Sequence, residues 1–169
     1  LKQRHPDGMV LFHMSGEVAM PVYAFCDTMV DGENYAGSLD RKYNRGYEKV
    51  LTLDQFAAEY AAQNNFGPFT VFLPQFHRSG AIKADEWKDV GYQPAEYILG
   101  LQYLHDSDMW PAYIAPEPVK ALRVAFAANG VNSRWDFVGY WKQQAVDLPK
   151  GVEASFYLSP DREKAFMVI

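Results

Sequence analysis

With 169 residues, 49% of them hydrophobic, the chain has ample apolar material for one packed core, and no block of like charge or low-complexity tract marks it as disordered. Its formal charge of −5 comes without a Lys/Arg stripe, so nothing offers nucleic acid or an anionic membrane surface an electrostatic foothold. No apolar run approaches the ~20 residues needed to span a bilayer, and the single cysteine, Cys26, has no internal disulfide partner, which fits either a reducing compartment or a secreted protein without bridges.

In chain order, Leu1 to His5 reads as the last turn of a helix, with cations at its negative end, and Pro6-Asp7-Gly8 turns into a strand at Met9 to His13. That continuous apolar run predicts a strand buried on both faces of a parallel sheet. A second extended segment is expected at Val22 to Cys26. The gap between the two is too short for the crossover helix that adjacent parallel strands need, so one of them is expected to belong to a long loop. Gly37 to Lys49 is a donor-rich polar and aromatic loop. Thr52, with Gln55 three positions on, forms a capping box that opens a helix with Leu53, Phe56, Ala57, Tyr60 and Ala61 on one face and a stop at Asn65 and Gly67.

Phe69 to Leu73 is the next buried strand. Pro94 starts a helix lined by Tyr97, Ile98, Leu101 and Leu104, and Trp110 to Ala115 is a marginal strand because of Pro111. A third helix begins at Pro118, presents Val119, Leu122 and Phe126, and stops at Asn129-Gly130. The alternation of strands and helices predicts a parallel α/β layer. Beyond Asn132 the pattern turns to antiparallel β, with Val152 to Leu158 and Ala165 to Ile169 flanking the turn Ser159-Pro160-Asp161. Two domains follow, 1–131 and 132–169. The chain opens within a helix and closes within a hairpin, and is read as a piece of something longer. Three βα units without a Gly-rich phosphate loop suit the C-terminal part of a (β/α)8 TIM barrel, followed by the start of an antiparallel β-sandwich; an open doubly wound sheet is the competitor.

The residues with chemical potential cluster early. Asp27, Asp31 and Glu33 follow Tyr23-Ala24-Phe25-Cys26 and are expected where a buried strand meets solvent, the edge on which parallel α/β folds build their sites. Gly32 permits an unusual backbone angle that can aim Glu33 inward, although Glu33 also reads as a solvated loop acid and Asp27 as a turn acceptor. His13, with Ser15 two residues on, can donate to a sugar hydroxyl or hold a carboxylate, or can be a satisfied core histidine. Gln75, His77 and Arg78 occupy the equivalent end of the next strand. Tyr35, Tyr43, Tyr47 and Trp87 lie in loops and carry rings able to stack on sugar faces, where the ordinary role of such rings is core packing. His105 to Trp110 precedes the third strand and is assigned to the opposite, stability-bearing face, with Asp106 and Asp108 as turn and cap residues.

No metal is expected, because His13, Cys26, Asp27 and His77 lack ligand spacing. Ser15 lacks a nucleophile elbow and Cys26 a local signature.

The order His13-Met-Ser, Pro21 to Asp27, Asp31-Gly-Glu33 and the tail Trp135-Asp-Phe-Val-Gly-Tyr-Trp resembles bacterial glycoside-hydrolase-like proteins distantly similar to α-N-acetylgalactosaminidase-type enzymes. That resemblance implies a (β/α)8 barrel with a C-terminal β-sandwich, cleavage of glycosidic bonds, Glu33 as catalytic acid/base, a carbohydrate substrate, no cofactor, and a periplasmic or extracellular location. Asp27 is the nearby alternative for the second carboxylate, and His13, Ser15, Asp31, Tyr35, Gln75, His77 and Arg78 are the expected substrate-binding residues. The competing readings are a non-catalytic carbohydrate-binding barrel and an ester hydrolase using Ser15 or Cys26. Oligomeric state is not legible.

Overall fold

The computed structural model describes residues 3–13, 20–39, 46–61, 69–74, 93–111 and 114–169. Four short strands, β1 (Leu11–His13), β2 (Thr28–Asp31), β3 (Phe69–Phe72) and β4 (Asp108–Met109), form one parallel sheet in the order β1-β2-β3-β4. Each strand lies beside its neighbour in sequence, and among the described strands no reversal creates the crevice of a doubly wound sheet. The register pairs His13 with Val30, Asp31 with Phe72, and Phe72 with Met109. Residues paired in register share a face and successive residues alternate, so Asp31, Phe72 and Met109 point to one side while His13, Val30 and Val71 point to the other.

The helices cover the first of these sides. α1 (Tyr47–Val50) is a single turn, and α2 (Leu53–Glu59) begins at the expected capping box. The Gln55 amide donates to Thr52 Oγ1 at 3.2 Å, and the Thr52 amide donates to Gln55 Oε1 at 3.0 Å, so two orphan donors of the first turn are satisfied. The predicted stop at Asn65 and Gly67 lies outside the described residues. α3 (Gln93–Leu104) buries Ile98 and Leu101, and α4 (Pro116–Ala128) buries Val119 and ends at Asn129, with Gly130 in the left-handed region at φ 73°. Phe72 is the hub of the resulting core: its ring meets Tyr47, Phe56 and Tyr60 at centroid distances of 5.9, 5.8 and 4.9 Å.

Three expectations are corrected. Val22 to Cys26 is not extended but belongs to a 3-10 helix, Met20–Phe25, with Pro21 in its first turn, and the buried strand begins at Thr28. The third strand is Asp108–Met109 rather than Trp110 to Ala115, although the Trp110 amide continues the ladder to the Phe72 carbonyl at 2.9 Å. β1, predicted to be buried on both faces, is exposed along its length.

Beyond α4, β5 (Asp136–Val138), β6 (Ser155–Leu158) and β7 (Ala165–Val168) form an antiparallel sheet, as the sequence pattern predicts. This sheet caps α3. The last four carbonyls of a helix have no partner within it, and here each is met: Leu101 by His105 Nδ1–H at 2.6 Å, Gln102 by the amides of His105 and Ser107, Tyr103 by the Tyr157 hydroxyl at 3.2 Å, and Leu104 by Ser155 Oγ at 2.7 Å. Two of these four carbonyls, those of Tyr103 and Leu104, are met by side chains of β6. His105 closes the joint, its ring packed among Phe56, Tyr140 and Trp141. Because Nδ1 carries the proton given to Leu101, neutral Nε2 is left to accept from the Tyr140 hydroxyl at 3.4 Å. The fold thus places His105 and Asp106 before β4, at the amino edge of the sheet, as expected from sequence.

Candidate active site

The carboxyl edge of the parallel sheet carries the expected acid. β2 ends at Asp31, the chain turns at Gly32, and Glu33 opens a 3-10 helix, Glu33–Ser38. Gly32 has φ 122°, a conformation side chains rarely adopt, and a Cβ there would lie 2.8 Å from the Phe72 ring and 3.0 Å from the Leu73 carbonyl. Only glycine fits this turn. The turn carries Glu33 back toward the neighbouring strand, where Glu33 Oε2 stands 3.4 Å from Nε2 of His13, the last residue of β1. The His13 side chain is 49% exposed and that of Glu33 23%, so neither is sealed in the core. Such a pair adds on the order of 1 kcal/mol or less to stability; its significance is that two independent strand ends bring a proton carrier and an imidazole together.

Asp31 takes a different place. It is 5% exposed, shares the helix-covered face with Phe72, and accepts the Gly32 amide at 2.7 Å, so it braces the turn beneath Glu33 and does not look out beside His13. This corrects its expected position on the open rim. Its charge is felt by the phenols around it: the pKa values of Tyr23, Tyr35 and Tyr60 are all pushed up, first by burial and then in part by Asp31, which keeps these hydroxyls as donors.

Asp27 is also displaced from its expected position. Because the strand starts at Thr28, Asp27 lies at the amino edge, where its Oδ2 accepts the Val10 amide at 2.7 Å and its own amide donates to the Val10 carbonyl at 2.9 Å. The five residue steps from Asp27 to Gly32, at ~3.3 Å each, put Asp27 roughly 16 Å from the turn that bears Glu33. That exceeds the ~5 to 9.5 Å separation of paired glycosidase carboxylates. Tyr35 and Tyr47 are likewise not open stacking platforms: Tyr35 is 9% exposed and Tyr47 1%, both within the core. Ser15, Gln75, His77 and Arg78, with Tyr43 and Trp87, lie outside the described residues.

The Cys26 thiol is pushed up by burial and then by the charge of Asp27. That is the opposite of what a nucleophilic cysteine requires. Among the described residues no three His, Cys, Asp or Glu side chains gather as a metal site, and no helix is long and apolar enough to cross a membrane. A groove of about 410 Å³ follows α4, with Pro111, Val119, Val124 and Ala127 against Lys120 and Arg123. None of the residues lining it is acidic, and none belongs to the Glu33 segment.

Searches against family models, curated proteins and solved structures find no match to this chain. The site therefore rests on its own geometry. The sequence alone singles out neither Asn34, which lies in the Glu33 segment, nor Glu59, which faces that segment. In sequence Tyr60 reads only as part of an apolar helix face, whereas its hydroxyl meets Asn34, 26 residues away in the chain, at 3.3 Å.

Proposed function

We propose that the protein is a glycoside hydrolase in which Glu33 is the catalytic acid/base, working from the carboxyl rim of a (β/α)8 barrel of which β1 to β4 are consecutive strands. The observation that carries this reading is the approach of His13 Nε2 to Glu33 Oε2, 3.4 Å apart, at the carboxyl ends of two adjacent parallel strands. Active sites in such barrels occupy that rim, and strand order without reversal is the order of successive βα units. The β1–β2 connection departs from the pattern in carrying a 3-10 helix among its described residues. The antiparallel sheet after α4 is read as the start of the β-sandwich expected of the resembled proteins.

In this reading Glu33 acts from its protonated form: His13 donates to its Oε2 or to a sugar hydroxyl, the Glu33 carboxyl passes its proton to the leaving oxygen, and the carboxylate so formed takes a proton back from the attacking water or from solvent. The second carboxylate stands ~5 Å from Glu33 for retention or ~6.5–9.5 Å for inversion, and Asp27 meets neither spacing. Gln75, His77, Arg78 and Ser15 contribute to sugar binding. The partner is a carbohydrate, with no role for nucleic acid, membrane or cofactor. The test is Glu33→Gln: turnover of aryl glycosides is lost while sugar binding, read by calorimetry, is kept. Retained turnover removes Glu33 from the mechanism, and sugar binding without turnover in the unaltered protein gives the non-catalytic reading.

A further inference from the structure

Two side-chain hydrogen bonds tie the 3-10 helix that begins at Glu33 to the carboxyl end of α2. Tyr35 Oη donates to Glu59 Oε2 at 2.7 Å, a short, charge-assisted bond. Tyr60 Oη donates to Asn34 Oδ1 at 3.3 Å. The two residues held, Asn34 and Tyr35, follow Glu33 directly, and the two residues holding them, Glu59 and Tyr60, are consecutive in the chain. Each segment gives one donor and one acceptor, so the two are joined at two points.

The far side of this clamp is rooted in the core. Phe56 and Tyr60 are buried one turn apart with rings 5.2 Å apart, and both pack on Phe72 of β3, the strand next to the one that carries Glu33. The Tyr35 and Tyr60 rings also meet at 6.4 Å. On its near side the segment leaves β2 through the Gly32 turn, whose carbonyl accepts the Tyr35 amide at 3.3 Å. Glycine supplies the turn but gives it no stiffness. The clamp adds a second hold, one turn beyond the glycine.

We infer that Glu59 and Tyr60 are positioning residues that hold the Glu33 carboxylate at His13. The inference rests on the reading of Glu33 as the reacting acid. Burial raises both phenol pKa values, helped by the Glu59 hydrogen bond and charge at Tyr35 and by the Asp31 charge at Tyr60, so the two donors persist across the working pH range. A proton carrier held by such a framework is kept in the narrow geometry that proton transfer demands, where displacement by an ångström costs rate.

The test uses the full chain with Tyr60→Phe, which removes the hydroxyl and keeps the ring, and with Glu59→Ala at an exposed helix position, alone and combined. Amide hydrogen exchange over residues 34–38 reads the clamp without substrate, and kcat and KM on an aryl glycoside read its consequence. The double variant is expected to exchange about tenfold faster over 34–38, the factor that ~1.4 kcal/mol of hydrogen bonding carries, with the rest of α2 unchanged. kcat is expected to fall about tenfold with KM within twofold, and Glu59→Gln, which keeps an acceptor for Tyr35, to restore most of both. Unchanged exchange over 34–38 overturns the clamp. Unchanged kcat in the double variant, with Glu33→Gln inactive, overturns its role in positioning. Turnover that survives Glu33→Gln strikes the functional reading instead, and the exchange result still decides the clamp.

Discussion

Replacing Gly32 by alanine tests how the fold delivers Glu33. Two costs add. At φ 122° an L-residue is strained, which costs on the order of 1–3 kcal/mol. The new methyl would also lie 2.8 and 2.9 Å from two Phe72 ring atoms and 3.0 Å from the Leu73 carbonyl, closer than carbon atoms pack. Phe72 has little room to withdraw because Tyr47, Phe56 and Tyr60 surround its ring, and overpacking of this kind costs roughly 1–3 kcal/mol. Alanine returns about 0.4–1 kcal/mol by stiffening the unfolded chain. The expected net loss is about 3 kcal/mol, or roughly 6–12 °C in Tm for a chain of this size. Guanidinium unfolding followed by tryptophan fluorescence measures it, with a lower midpoint and unchanged slope. Gly130→Ala is the control: Gly130 has φ 73° but no atom within 4 Å of a Cβ, so strain acts alone at ~1–2 kcal/mol. If Gly32→Ala costs no more than Gly130→Ala, the close approach of Phe72 is not the constraint argued here.

His105 makes stability depend on pH. Burial pushes its pKa below the usual value, with the bond to the Leu101 carbonyl acting the other way, so its contribution is whole above ~6.5, the unfolded value, and drains as pH falls below it, where the unfolded chain binds the proton first. The Tm of the native protein is expected to drop more steeply from pH 7 to 5 than that of His105→Gln; coincident profiles refute the assignment. Ser155 is fully buried, caps Leu104 and accepts the Tyr140 amide at 2.9 Å, so Ser155→Ala is expected to cost about 2 kcal/mol in chemical unfolding, and a cost under ~0.5 kcal/mol would mean that the joint between the sheets does not depend on it.

What the sequence revealed was what local chemistry decides. The Thr52–Gln55 capping box, the periodic faces of α3 and α4, the Asn129-Gly130 stop and the β6–β7 turn each follow from a few adjacent residues. β2 was misplaced because Thr28 to Asp31 is buried at every position, which erases the two-residue alternation, while Val22 to Phe25 has strand-like composition but turns as a 3-10 helix after Pro21. That shift of a few residues moved Asp27 from one edge of the sheet to the other. β4 is two residues long and is set by its register with Phe72, information held in a different strand. At the site, Gly32 and Glu33 were legible because a glycine before an acid at a strand end has a local meaning. The helix-facing side of Asp31 and the bonds of Glu59 and Tyr60 depend on register and on partners more than twenty residues away.

The most direct test of Glu33 as the reacting acid is rescue of a cavity variant. With Glu33→Ala, turnover of an aryl glycoside should fall by ~10²–10⁴, the usual worth of a positioned acid or base, and added azide or formate, filling the vacated space with a small anion, should restore part of it. A Glu33→Ala protein that turns over at the unaltered rate with no added anion would contradict the account.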